Sequence, residues 1–343
     1  MRSLLPFNID FIKNETSVPL VDHHLNELKG KRVYYDQLKG NRGDDLILLG
    51  IEQQVKKAGL EIVSDISQAD HLLIKGGGAL IDSYGSLLKH IGDLLQSTPN
   101  MPATILPTSY HLTTNSLPKM CGDSRKAPLR VYAREKYSFE ALQKCKFDCP
   151  FELGMDHDSA FHLIGSKYLN NLANRPKKKH ILIVERTDAE AVTKNSLNNS
   201  KPAKGANKPK AAITALLPQS LKYHLKHRLV LPKIENQART TAFASNTSDF
   251  IFKHHPDLKG LPIRCFDVSQ NHLNTFDQFA QIIKDSAVVV STRLHVGLFS
   301  AMLDIPTYLV AGSYHKLRGI YRYSMQDNSH VKLIDKSLNF LNL

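Results

Sequence analysis

The chain has 343 residues, of which 42% are apolar and 22% charged, and a formal net charge of +13. That length exceeds what one hydrophobic core usually supports, so two globular domains are expected rather than a disordered or fibrous chain. No apolar run approaches the roughly 18 residues of a membrane span, and the apolar stretch in MRSLLPFNIDFIKNE is too short for a signal peptide, so a cytoplasmic location is expected.

Arg32–Tyr35 (RVYY) predicts a short strand that runs into the Gly-rich turn Gly40–Gly43. Asp45–Ala58 carries Leu46 with Leu49 and Val55 with Ala58 at three-residue steps, the spacing of a helix. Glu61–Val63 and His71–Ile74 (HLLI) predict strands, the second ending in the triple glycine Gly76–Gly78. Leu87–Leu95 predicts a helix, Thr104–Leu106 a strand closed by Pro107, and Leu129–Ala133 a strand leading into Arg134. Ser138–Cys145 predicts a helix with Ser138 as its N-cap. Strand, loop and helix in succession predict a parallel, doubly wound sheet.

The polar stretch around Arg175–Lys179 predicts a linker at 166–180, between an N-terminal domain at 1–165 and a C-terminal domain at 181–325, with a tail at 326–343. His180–Val184 (HILIV) opens the second alternation, and Phe243–Phe252 and Ile263–Phe266 are weaker elements. Phe276–Lys284 predicts a helix and Ala287–Val290 (AVVV) a buried strand. The loop Ser291–Arg293, a helix at Val296–Leu303 and a strand at Pro306–Val310 follow. Between Arg175 and Lys210 ten Lys/Arg stand against three Asp/Glu, so +7 of the net charge lies in this stretch. Thr193–Ala212 has few apolar residues and no period, and reads as a solvated basic insert at about 190–212. Such charge fits anionic partners, a peripheral contact with the inner face of a membrane among them. It lacks the interleaved aromatics that stack bases, so nucleic acid is not expected as a partner. The four cysteines show no zinc-site spacing and read as reduced thiols, and the pairs His23-His24 and His254-His255 read as surface residues. No metal site is expected.

Three loops could carry chemistry. Gly40, Asn41, Gly43 and Asp44 sit between a strand and a helix, either as a plain turn or as a ligand loop at a helix N-terminus. Gly76, Gly77 and Gly78 bare the backbone for a ligand, a second domain or a tight crossing. Arg293 and His295 alternate with Leu294, so an extended loop would point both the same way, guanidinium beside imidazole, as an anionic substrate needing a proton requires.

Taken in order, GNRGDDLI (Gly40–Ile47), KGGGALID (Lys75–Asp82), AREKYSFEAL (Ala133–Leu142), DHDSAF (Asp156–Phe161) and STRLHVGLFSAMLDIPTYLV (Ser291–Val310) resemble the polysaccharide pyruvyltransferase family. YHKLRGIY (Tyr314–Tyr321) stands where that family has a further Lys-bearing segment, which brings in Lys316. The resemblance implies an α/β fold of two Rossmann-like domains facing a cleft, of glycosyltransferase B type. It implies transfer of pyruvate from phosphoenolpyruvate to a sugar of a cell-surface or exopolysaccharide glycan, soluble or lipid-linked. By motif match Arg134, Arg293, Leu294 and His295 inherit the donor site, and Gly40–Asp44 and Gly76–Gly78 inherit loops lining the cleft. Phosphoenolpyruvate is then a substrate, and the scheme calls for no cofactor. Glu190–Ala242 carries no family motif, which leaves the acceptor open. Two other readings use the same residues: a glycosyltransferase taking a sugar nucleotide, and a non-catalytic surface-binding or assembly protein with a degenerate site.

Overall fold

The computed structural model describes residues 16–173, 178–186, 218–312 and 314–335. The basic insert expected at about 190–212 lies outside the described residues, as do 174–177 of the expected linker. The chain divides into two compact units. The first takes in the described residues up to Gly40, then Asp44–Asn170 and His315–Ser329; the second takes in Asn41–Gly43, 171–314 and the chain from His330.

The first unit is built on a sheet of β1 (Arg32–Asp36), β2 (Glu61–Val63), β3 (His71–Ile74), β4 (Gly77–Ile81), β5 (Ala103–His111), β6 (Leu129–Ala133) and β7 (Phe151–Met155). Its order is β2-β1-β3-β5-β6-β7, with β4 also on β5, and every pair is parallel. β3 is buried along its whole length, the pattern of a strand covered on both faces. The helix Gly85–Ser97 sets Leu88, Ile91 and Leu95 into this core at helical spacing. Each aliphatic side chain so buried contributes about 1.5–3 kcal/mol.

Several local expectations are corrected here. β5 does not close at Pro107 but runs on to His111. Proline has no N–H to give, and the pairing with β6 shifts register between Ile105 and Thr108 to accommodate it. Gly76–Gly78 is not an open loop, because Gly77 and Gly78 begin β4. A Cβ on Gly76 would lie 2.2 Å from the Pro107 carbonyl oxygen and 2.4 Å from that of Leu106. Two backbones therefore touch at this point, and only glycine fits. The helix over Ser138 starts at Lys136 with Glu135 as its N-cap. Ser138 is buried instead, and its Oγ accepts from the Tyr110 N–H at 2.7 Å. His24 is buried too, in the helix Val21–Glu27, where its Nε2 meets Thr104 Oγ1 at 2.8 Å.

The second unit holds β8 (His180–Val184), β9 (Ile263–Cys265), β10 (Ser286–Ser291), β11 (Thr307–Ala311) and β12 (Val331–Asp335). Their order is β12-β11-β10-β8-β9, again all parallel. β12 falls within the stretch expected as a tail. Counted within its own unit, the second sheet has the doubly wound order 2-1-3-4-5, and the first, with β4 set aside, follows the same order with a sixth strand added, 2-1-3-4-5-6. The helices Gln219–Leu229, Leu231–Arg239 and Ala242–His254 come between β8 and β9. The helix Phe276–Lys284 starts with a capping box between Thr275 and Gln278. The next helix spans Leu294–Met302, two residues earlier than expected. Apart from the half-buried His295 and the buried Ser300 it is apolar, with Val296, Leu298 and Phe299 fully buried. A Cβ on Gly297 would lie 2.1 Å from Leu309 Cδ2, so this helix lies directly on β11. The chain is thus an α/β protein of two Rossmann-like units. Among the described residues no helix is long and apolar enough to cross a membrane.

Candidate active site

In an open parallel sheet, ligands bind beyond the carboxyl ends of the strands, at the point where the strand order reverses. In the first unit that point lies between β1 and β3. Gly40 and Asp44 follow β1, and Lys75 and Gly76 follow β3. Lys75 is almost fully buried, and its Nζ donates to Leu38 O at 2.7 Å and to Asp44 Oδ1 at 3.1 Å. A Cβ on Gly40 would lie 2.0 Å from Asp44 Oδ2. Gly40 is therefore glycine because the Asp44 carboxylate, held by Lys75, occupies that space.

Arg134 follows β6 and is buried to 1% exposure. Its Nε donates to Ser109 Oγ at 2.9 Å, and its Nη1 donates to Asp158 Oδ2 in an ion pair whose side chains are both inaccessible. Asp158 follows β7 and also accepts from the Ala160 N–H at 3.0 Å. Arg134 Nη2 is different: it is buried and has no hydrogen-bond partner among the described residues. Leaving a buried charged donor unmatched costs at least about 1–3 kcal/mol, which an anionic ligand would recover. Nη2 lies 3.8 Å from the point where a Gly78 Cβ would stand, and Lys316 Nζ lies 3.4 Å from the same point. The missing side chain of Gly78 leaves a slot on which a guanidinium and an ammonium converge. That is the arrangement for a phosphate or carboxylate oxygen.

The second unit repeats the logic, its strand order reversing between β8 and β10. Arg186 follows β8, and its N–H donates to Thr292 Oγ1 at 2.8 Å. Arg293 follows β10. Its Nε donates to Asp267 Oδ2 at 3.0 Å and its Nη2 to the same oxygen, while Asp267 Oδ1 accepts from Ser269 Oγ at 2.7 Å. Ser291 Oγ accepts from the Arg293 N–H at 2.9 Å, so both ends of the arginine are fixed.

His295 is half-buried in the first turn of the helix Leu294–Met302. This corrects the expectation that alternation in an extended loop aims it along with Arg293. Arg293 is the extended N-cap and Leu294 is already helical and buried, so the direction of His295 is set by the helix. What the imidazole meets is the Asn41–Gly43 turn. A Cβ on Gly43 would lie 2.9 Å from His295 Nδ1 and 3.0 Å from Asn41 Oδ1, the atom that accepts from the Gly43 N–H at 2.8 Å. Arg42 holds the turn in place, its N–H donating to Ser269 O at 2.9 Å and its Nε to Asn274 O at 2.8 Å. One loop after β9 thus anchors both Arg293, through Asp267, and the turn that faces His295.

The first unit therefore brings together Gly40 with Asp44, and Gly78 with Arg134 and Lys316; the second brings together Asn41, Gly43 and His295, with Arg293 on the same loop network. Gly76 and Gly77 serve the backbone: Gly76 meets β5, and Gly77 has φ +103° with Ile47 Cδ1 2.9 Å from its would-be Cβ. Sequence reasoning missed Lys75, Ser109, Asp158 and Asp267 as partners of these residues. Asp267-Val268-Ser269 carried a signal, since an Asp two residues before a Ser favours a local turn whose remaining oxygen is left to take an arginine.

Among solved structures, the chain is similar in fold to an uncharacterised protein of Klebsiella pneumoniae subsp. pneumoniae. The TM-score is 0.54 at 16% identity, over 94% of this chain and 98% of that one. No curated protein matches the chain in sequence. The family model for polysaccharide pyruvyl transferases matches residues 41–314, a span that runs from the Asn41–Gly43 turn through Arg134 to Arg293 and His295. The chain belongs to the polysaccharide pyruvyl transferase family.

Proposed function

We propose that the chain transfers pyruvate from phosphoenolpyruvate to a sugar of a polysaccharide or its precursor, closing a cyclic ketal over two hydroxyls. The observation that carries this reading is the unmatched Arg134 Nη2 beside Lys316 at the bare Gly78 backbone. Arg134 with Lys316 takes one anionic end of the donor, and Arg293, oriented by Asp267, takes another. His295 supplies a proton to the donor's methylene carbon, which becomes the methyl group. A sugar hydroxyl then adds to C2, the bond from C2 to the phosphate oxygen breaks, and phosphate leaves. The second hydroxyl completes the ketal, and the two hydroxyl protons balance the one delivered to carbon and the one taken up by phosphate.

Calorimetric titration with phosphoenolpyruvate and with a sugar nucleotide, followed by phosphate release over a glycan panel, tests this. Phosphoenolpyruvate is expected to bind. Arg134→Lys should weaken it about 10–100-fold, because the planar fork and one charge-assisted contact are lost. His295→Gln should lower turnover about 10²–10⁴-fold and leave donor affinity within several-fold. Binding of the sugar nucleotide in place of phosphoenolpyruvate would move the chain to glycosyl transfer. Normal turnover in His295→Gln would take the proton away from that residue.

A further inference from the structure

We propose that the groove between the helices Lys136–Gln143 and Lys316–Ser324 binds a pyranose ring of the acceptor glycan. The inference rests on the pyruvyl-transfer reading above and assigns that reaction an acceptor subsite. The groove lies within the first unit and encloses about 340 Å³, inside the range of small-molecule sites. Tyr137 and Glu140 form one wall, Arg322, Tyr323 and Gln326 the other, and Gly319 the floor.

Its position follows from helix geometry. Lys316, Gly319 and Tyr323 are spaced i, i+3, i+7 and share one helix face. Lys316 begins that face at the Gly78 slot, beside Arg134. The opposite helix starts directly after Arg134, with Glu135 as its N-cap. The two helices touch where Gly319 lacks a side chain, since a Cβ there would lie 2.8 Å from Glu135 Cβ. Both helices therefore start at the anion slot, and the groove lining begins one turn along the second helix at Gly319, with Tyr323 about 10 Å of helix rise beyond Lys316. At its near end the rings of His315 and Tyr137 are 5.1 Å apart, and His315 Nε2 lies 3.6 Å from Glu135 Oε1.

The lining chemistry selects the ligand. A pyranose has apolar C–H faces and a polar hydroxyl edge. Tyr137 is 38% exposed, an aromatic face open to such a C–H surface, and the Arg322 Nη1 donates to its hydroxyl at 2.9 Å and fixes the ring. The Glu140 carboxylate and the Gln326 amide offer acceptors and a donor to hydroxyls. A bare phosphate would call on neither the tyrosines nor the carboxylate. Lys136 and Arg322 outnumber the one acid, which favours a neutral or acidic sugar over one bearing a free ammonium.

The test uses the full chain with methyl β-galactopyranoside, methyl β-glucopyranoside and glucuronic acid, read by saturation-transfer NMR. At least one should receive saturation on its ring protons. Tyr137→Ala should weaken that binding by at least about fivefold, and the exposed-rim variants Arg322→Ala and Gln326→Ala should weaken it without lowering the melting temperature. Phosphoenolpyruvate affinity should stay within twofold in all three. The groove is overturned if no saccharide binds the wild type, or if all three variants bind it as the wild type does. Phosphoenolpyruvate binding without a saccharide response removes the groove and leaves the transfer reading intact. A saccharide response that the variants lose, without phosphoenolpyruvate binding, keeps the groove and removes the transfer reading.

Discussion

A methyl group added at Gly76 would meet two backbone carbonyl oxygens, whereas one added at Gly78 would meet only the ends of Lys316 and Arg134. Flexible side-chain ends can give way and strand backbones cannot. Gly76→Ala is therefore expected to destabilise the fold by about 1–3 kcal/mol or more, seen as a lower melting temperature. Gly78→Ala should leave the melting temperature close to wild type and fill the anion slot, weakening phosphoenolpyruvate binding about tenfold or more. Equal thermal effects, or unchanged donor affinity in Gly78→Ala, would contradict the distinction. Sequence marked all three glycines of the run and could not separate their duties, because backbone approach and ligand access leave the same residue type. It singled out Arg134, Arg293 and His295 through ordered motifs. It could not find Asp158 or Asp267 as the carboxylates that orient the two arginines, since each comes from a different strand end and only the fold pairs them.

At the scale of elements, the helix Val21–Glu27, β3 and β5 are joined by a polar contact inside the core. Thr104 Oγ1 lies 2.8 Å from His24 Nε2 and 2.9 Å from His71 Nε2. Burial pushes His24 down to about 4, with the Arg130 guanidinium adding to the effect, and pushes His71 down to about 3, with His24 adding to it. Both rings stay neutral in the fold while an unfolded chain takes up protons from about pH 6.5 downward. Their contribution is thus complete above pH 6.5 and is lost as pH falls toward 4, on the order of 1–2 kcal/mol for each histidine by pH 5. Thermal melts at pH 7.5 and pH 5 should show this fall, and His71→Gln, which cannot take the proton, should show a shallower one. An unchanged slope in His71→Gln would place the acid sensitivity elsewhere. The same elements show what was legible. HLLI and HILIV were found at their full lengths because strands buried on both faces read as unbroken apolar runs. β7 (FELGM) was missed because its burial is partial and mixed, and Gln219–Leu229 because its polar residues give almost no apolar face. The proline in β5 and the glycines opening β4 read as chain breaks because their compensation, a register shift on the neighbouring strand, is not local.

Across the whole molecule the two units are interleaved along the chain. His315–Ser329 rejoins the first unit after the second has been entered, and β12 then completes the second sheet. Truncation after Tyr314, where the family match ends, is expected to damage both units together. It removes the buried Leu317 and Ile320 from one and leaves β11 as an uncovered sheet edge in the other. The truncated chain should be recovered as aggregate, and a monomeric product with a normal melting transition would show that the last segments are dispensable. The same interleaving bears on how the protein is made. During synthesis the first unit lacks its final helix, and the second its edge strand, until nearly the whole chain has left the ribosome. From the start of β8 at His180, a first unit without its helix Lys316–Ser324 therefore stands beside a second sheet without β12 until residue 335 has been added. At about 5–20 residues per second, that interval lasts on the order of ten seconds or more. Chaperone dependence during expression is the expected consequence of a chain that crosses back to its first unit after entering the second.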